Sequence, residues 1–220
     1  MTRHRVGLVV AAAVAALSLV FAGGTASAVS TTTKNLIKNG GAEKGAGSAD
    51  GSVVAVPGWT ESTGATFTAV QYGAGGGFPT STSPGPPARG LNFFAGGPSD
   101  PLDTIVAVQT VKLNTYKTAI DGGHVSAALL GWLGGFSTQG DQAFVEVDFK
   151  DGHGNFLSSL TIGPVTEADR AGVTSLKKRT ASAPVPVKAR TAFVQLSLTR
   201  TDGSYNDGYA DGLSLKLSGI

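Results

Sequence analysis

Phe144-Val145-Glu146-Val147-Asp148-Phe149-Lys150 and Val194-Gln195-Leu196-Ser197-Leu198-Thr199 decide the fold class. In the first, Val145, Val147 and Phe149 alternate with Phe144, Glu146, Asp148 and Lys150. In the second, Val194, Leu196 and Leu198 alternate with Gln195, Ser197 and Thr199. A period of two is that of a strand with one face in the core and one in water. Leu213, Leu215 and Leu217 repeat the pattern near the end of the chain. Residues 67–72, 91–94, 105–113, 125–133 and 156–162 read as further strands. Turn signals separate these runs: Pro57-Gly58, the glycines at 75–77, Ser83 to Pro87, Asp121-Gly122-Gly123 and Asp151-Gly152-His153-Gly154-Asn155. Only 113–120 and 165–172 have room for a helical turn or two. Many short strands joined by Gly- and Pro-rich connections predict an all-β antiparallel β-sandwich of jelly-roll type, with roughly eight to ten strands.

The chain opens with Arg3 and Arg5, an apolar run to Ala22, and Gly23-Gly24-Thr25-Ala26-Ser27-Ala28. That is the build of a cleaved secretory signal peptide over 1–28, and its apolar run is shorter than the roughly 20 residues of a membrane span. Residues 29–34 are expected to be a flexible lead-in, and 35–220 a single domain that is secreted, free of membrane and monomeric. Without residues 1–28 the chain keeps 15 of its 17 basic side chains, which equals its 15 acidic ones. A neutral surface with no basic run longer than Lys177-Lys178-Arg179 argues against nucleic acid as a partner. The chain has no cysteine, so its stability has to come from a core, with or without a metal.

The two ends of the domain carry a resemblance. Near the start stands Asn35-Leu36-Ile37-Lys38-Asn39-Gly40-Gly41-Ala42-Glu43, followed by Pro57-Gly58-Trp59; near the end stands Asn206-Asp207-Gly208-Tyr209-Ala210-Asp211-Gly212-Leu213-Ser214-Leu215. This pairing resembles the galactose-binding-like jelly rolls, including secreted cellulose- and xylan-binding modules. Those open on Asn-Gly-Gly-Phe-Glu and close on an Asp-Asn/Asp-Val-Ser-Leu strand. The resemblance implies that the first and last strands lie side by side with a structural calcium between them. Glu43 and Asp211 would be its carboxylate ligands, joined by carbonyls near Gly41. Such a metal would tie the chain ends of a disulfide-free domain. Two positions depart from the family pattern: Ala42 replaces an aromatic, and Gly212 replaces Asn or Asp.

The chemistry-bearing residues favour binding over turnover. The domain's only histidines, His124 and His153, sit in predicted turns, and no nucleophile elbow, His-Glu-x-x-His helix or phosphate-cradling glycine loop occurs. Glu146 and Asp148 share a strand face about 6.5–7 Å apart, which borders the spacing of an inverting glycoside hydrolase. Acids alternating on a wet face are ordinary, however, so a small glycan-active hydrolase is the weaker alternative. Carbohydrate recognition asks for exposed rings beside planar polar groups. Trp59 and Trp132 are expected mainly in the core. Tyr72, Arg89, Asn92 and Tyr205, beside the glycine-, proline- and polar-rich loops, are the expected ligand contacts. The expected role is a secreted, non-catalytic module that binds carbohydrate or a glycosylated surface. A protein- or cell-surface adhesion domain is the alternative.

Overall fold

The protein is described by a computed structural model that covers Met1, residues 31–98 and residues 100–220. Apart from Met1, the expected signal peptide lies outside the described residues, as do residues 29 and 30 of the lead-in. No helix among the described residues is long and apolar enough to cross a membrane.

Among the described residues ten strands form two antiparallel sheets. One carries β1 (Thr60–Thr63), β4 (Thr104–Lys112), β9 (Thr191–Thr199), β6 (Gln142–Lys150) and β7 (Phe156–Ile162), in that spatial order. The other carries β2 (Thr68–Gln71), β3 (Asn92–Pro98), β10 (Tyr205–Ser218), β5 (Ser126–Gly135) and β8 (Ser175–Pro184). The expected antiparallel sandwich is therefore the fold. The alternation in β6 and β9 is what closes it. Val145, Val147 and Phe149 of β6 and Val194, Leu196 and Leu198 of β9 are fully buried. They meet Phe94, Leu129, Leu133, Ala210, Leu213 and Leu215 from the opposite sheet in one core. Trp59 packs on the rim of that core, edge-on to Phe67 and Phe94. The helical turns fall where the sequence leaves room for them, a 3-10 turn at 114–116 leading into α1 (Lys117–Asp121), and α2 (Glu167–Arg170). Thr166 and Asp169 form a reciprocal capping box on α2.

Residues 32–36 lie along the last strand. Thr32 forms an isolated bridge with Ser218, Thr33 N–H donates to the Leu217 carbonyl, and Leu36 N–H donates to the Leu215 carbonyl. Asn35 extends the pairing with its side chain, which donates through Nδ2 to the Leu213 carbonyl and accepts from the Leu215 amide. Residues 31–33 of the expected lead-in thus lie along β10, because a final strand with open backbone groups gives them partners.

The two sheets differ on their outer faces. On β3 and β10 the residues from Phe93 to Gly96 and from Asn206 to Asp211 are buried on both sides. The loop between β2 and β3 folds over that outer face. Beneath it Val70, Phe93, Ala95, Leu176 and Tyr209 form a second apolar cluster, with Phe78 of the loop and Tyr205 packed against it. The outer face of the β1-β4-β9-β6-β7 sheet keeps its alternation, buried residue then half-exposed residue, along β4, β9 and β6.

Candidate functional site

The structure brings the two expected metal residues and three of the four expected ligand contacts to one end of the covered sheet. β3 pairs with β2 and β10, and the 40–43 segment crosses the end of that sheet. Both Glu43 carboxylate oxygens accept from the Leu91 amide, and Oε1 also accepts from the Asn92 amide. Gly90 is what lets Glu43 come so close: it has φ +71°, and a Cβ there would lie 2.5 Å from the Glu43 carboxyl carbon. Asn92, 4% exposed, donates to the Ala42 carbonyl, and its Oδ1 is buried with no hydrogen-bond partner. The Tyr72 hydroxyl donates to Asp211 Oδ2 at 2.8 Å. A cleft of about 330 Å³ opens here, lined by Glu43, Gly47, Gln71, Tyr72, Asn92 and the exposed Leu91.

Arg89 and Tyr205 are engaged within the protein, as Tyr72 and Asn92 are. Arg89 stacks its guanidinium 4.9 Å from the Tyr72 ring centre. It donates through Nε to the Pro86 carbonyl, through Nη1 to Thr80 and through Nη2 to Ser83. Its donors thereby hold the 80–86 stretch of its own loop. Tyr205 donates to the Gly51 carbonyl at 2.9 Å and packs edge-on to Phe78, 5.2 Å between ring centres. Burial, reinforced by nearby acids, raises the hydroxyls of both Tyr72 and Tyr205 above their usual range, so each stays a donor.

Glu43 and Asp211 converge on Gly41: a Cβ there would stand 3.8 Å from Glu43 Cγ and 3.4 Å from Asp211 Oδ1. Asp211 is 1% exposed, and burial pushes its carboxyl up to about 7. The Tyr72 and Gly212 hydrogen bonds and Arg89 oppose the rise, and the charge of Glu43 adds to it. Neither carboxylate forms an ion pair among the described residues. Two neighbouring acids, one of them desolvated and outside any ion pair among the described residues, have the chemistry of a hard-cation site. No group of three or more His, Cys, Asp or Glu gathers among the described residues, so backbone carbonyls or water would have to complete such a shell.

A second candidate region is the open outer face of the β1-β4-β9-β6-β7 sheet, where β6 and β9 lie side by side. Across that pair Asp148 stands opposite Phe193, Glu146 opposite Gln195, and Phe144 opposite Ser197. Lys150 Nζ lies 4.4 Å from the Phe193 ring centre and 3.9 Å from Asp148 Oδ2. Gln195 donates to the same oxygen at 3.4 Å. Phe156, 60% exposed, pairs with Lys150 at the end of the face. The face therefore presents rings beside a carboxylate, an amide and an ammonium. Phe144 and Phe193 occupy wet positions of the period-two pattern, and that was the signal for this face in the sequence.

No protein-family model matches the chain, and no curated protein matches it in sequence. Among solved structures it is similar to Family 16 Carbohydrate Binding Module-2, at 22% identity over 82% of this chain and 99% of that one, with a TM-score of 0.47. It is similar to the xylan-binding domain from carbohydrate-binding module family 22, at 11% identity over 76% and 88%, TM-score 0.43. It is also similar to the enzymatically active domain of bacteriophage CBA120 tailspike protein 4, at 18% identity and TM-score 0.48. In that case the match covers 82% of this chain and 21% of the tailspike chain, so this chain spans about a fifth of its length.

Proposed function

We propose that the domain is a secreted, non-catalytic binding module whose ligand is carbohydrate, held on the open face of the β1-β4-β9-β6-β7 sheet. The observation that carries the reading is the arrangement around Phe193, a half-exposed ring on a rigid central strand with Lys150, Asp148 and Gln195 beside it. Sugar rings stack their C–H faces on aromatic faces, and their hydroxyls take bonds from planar amides and carboxylates. A site on strands also needs little ordering when it binds. Tyr72, Arg89, Asn92 and Tyr205 have a supporting part in this reading, shaping the covered sheet and the cleft at its end. Calcium, held by Glu43 and Asp211, would be structural: it would neutralise the buried Asp211 and the exposed Glu43 beside it and fasten the 40–43 segment to β10.

The test is a glycan array and insoluble-glycan retention with the mature protein, alongside Phe193→Ala. Retention without release of reducing ends, lost in Phe193→Ala, is the expected result. A protein partner captured with no glycan retained would favour the adhesion reading, and product formation abolished by Glu146→Gln would make the chain a hydrolase.

A further inference from the structure

Charge on the open face is unevenly compensated, and this points to the class of sugar it takes. Three ionisable side chains stand in a row on the outer side of β6: Glu146, Asp148 and Lys150. Lys150 is taken up by Asp148 and by the Phe193 ring, and Asp148 also receives the Gln195 amide. Glu146 has no such partner among the described residues. Its cross-strand neighbours are Gln195 on β9 and Thr161 on β7, and its neighbours on the same face of β6 are Phe144 and Asp148. None of these is a cation. The nearest basic side chain along β6 is Lys150, already held, and on β4 Lys112 lies at the far end of the sheet, level with Thr191. The result is one uncompensated carboxylate in the middle of an aromatic and polar platform.

A ligand lying across Phe144 and Phe193 would pass over Glu146, since the residues opposite and diagonal on paired strands lie within a sugar's reach. We infer that Glu146 makes this face selective for glycans that carry free amino groups, such as glucosamine polymers, over their N-acetylated and uronate counterparts. An ammonium on the sugar gives the carboxylate its missing partner. An acetamide offers one neutral donor, and a uronate brings like charge against Glu146 and Asp148.

The inference rests on the open-face reading, and the experiment separates the two. Affinities of the mature protein, Glu146→Gln and Phe193→Ala are measured for glucosamine oligomers, N-acetylglucosamine oligomers and oligogalacturonate, at low and high salt. The Glu146 side chain makes no hydrogen bond or ion pair among the described residues, so Glu146→Gln should melt with the wild type, which checks that it folds. The expected result is about a fivefold preference for glucosamine over N-acetylglucosamine oligomers, the size of one half-exposed ion pair. High salt should reduce that preference and Glu146→Gln should abolish it, while oligogalacturonate binds weakest. Glycan binding that needs Phe193 but shows equal affinity for the two oligomers, or a preference unchanged in Glu146→Gln, would overturn the inference and leave the open-face reading standing. Binding unaffected by Phe193→Ala, or no binding to any glycan, would remove both.

Discussion

Asp207 shows how one residue can set the response of the whole domain to pH. It is 8% exposed, and burial lifts its carboxyl to about 6; Asp141 adds to the rise, against the Tyr209 hydroxyl bond and Arg170. An acid raised from 3.8 in the unfolded chain to about 6 in the folded one stabilises the fold at low pH. That contribution is present below the unfolded value and is lost as pH rises through about 6, a change of at most about 3 kcal/mol. Asp211 acts in the same direction up to about 7. Asp121, Asp151 and Asp169, held below 3.8, lose their contribution only at more acid pH, outside this window. In EDTA the melting temperature should therefore fall between about pH 4.5 and 7.5, and fall less in Asp207→Asn. A slope equal to the wild type's would contradict this assignment. Arg89 gives a second residue-scale expectation. Three carbonyls of its own loop depend on it, so Arg89→Ala should cost about 1–3 kcal/mol and raise amide exchange across residues 79–90. Unchanged exchange there would mean the loop is held by its other contacts.

The central strand β9 carries the most at the level of elements. Leu196 lies between β4 and β6 with no exposure, so Leu196→Ala should cost about 2–5 kcal/mol in urea unfolding. Phe193→Ala, three residues earlier on the outer face, should cost far less and act on ligand retention instead. The elements were legible in the sequence to the degree that they alternate. β6 and β9 are half-buried along their whole length, so their period shows. β10 showed only its last part, 213–217, because residues 206–211 are buried on both faces beneath the 73–91 loop and a bulge interrupts the register between Asp211 and Ser214. β8 is an edge strand whose Lys177-Lys178-Arg179 run breaks the apolar pattern while protecting the edge, and β1 is four largely exposed polar residues. The convergence of Glu43, Tyr72, Asn92 and Asp211 could be anticipated only in part. The pairing of the ends was implied by the two terminal motifs, whereas contacts such as Arg89 with three carbonyls leave no trace in side-chain pattern.

At the scale of the molecule the sandwich has one outer face partly covered by the β2–β3 loop and one open one, and residues 32–36 are joined to the last strand along β10. If calcium sits at Glu43 and Asp211, EDTA should lower the melting temperature of the wild type and leave Glu43→Gln/Asp211→Asn unmoved; an unmoved wild type would remove the metal from the account. The open face is the central claim. Amide chemical-shift mapping, with an oligosaccharide retained on the array titrated into the labelled protein, tests it most directly. The account predicts perturbations concentrated on residues 144–150 and 191–197. Perturbations concentrated on residues 72–92, with β6 and β9 unmoved, would contradict it.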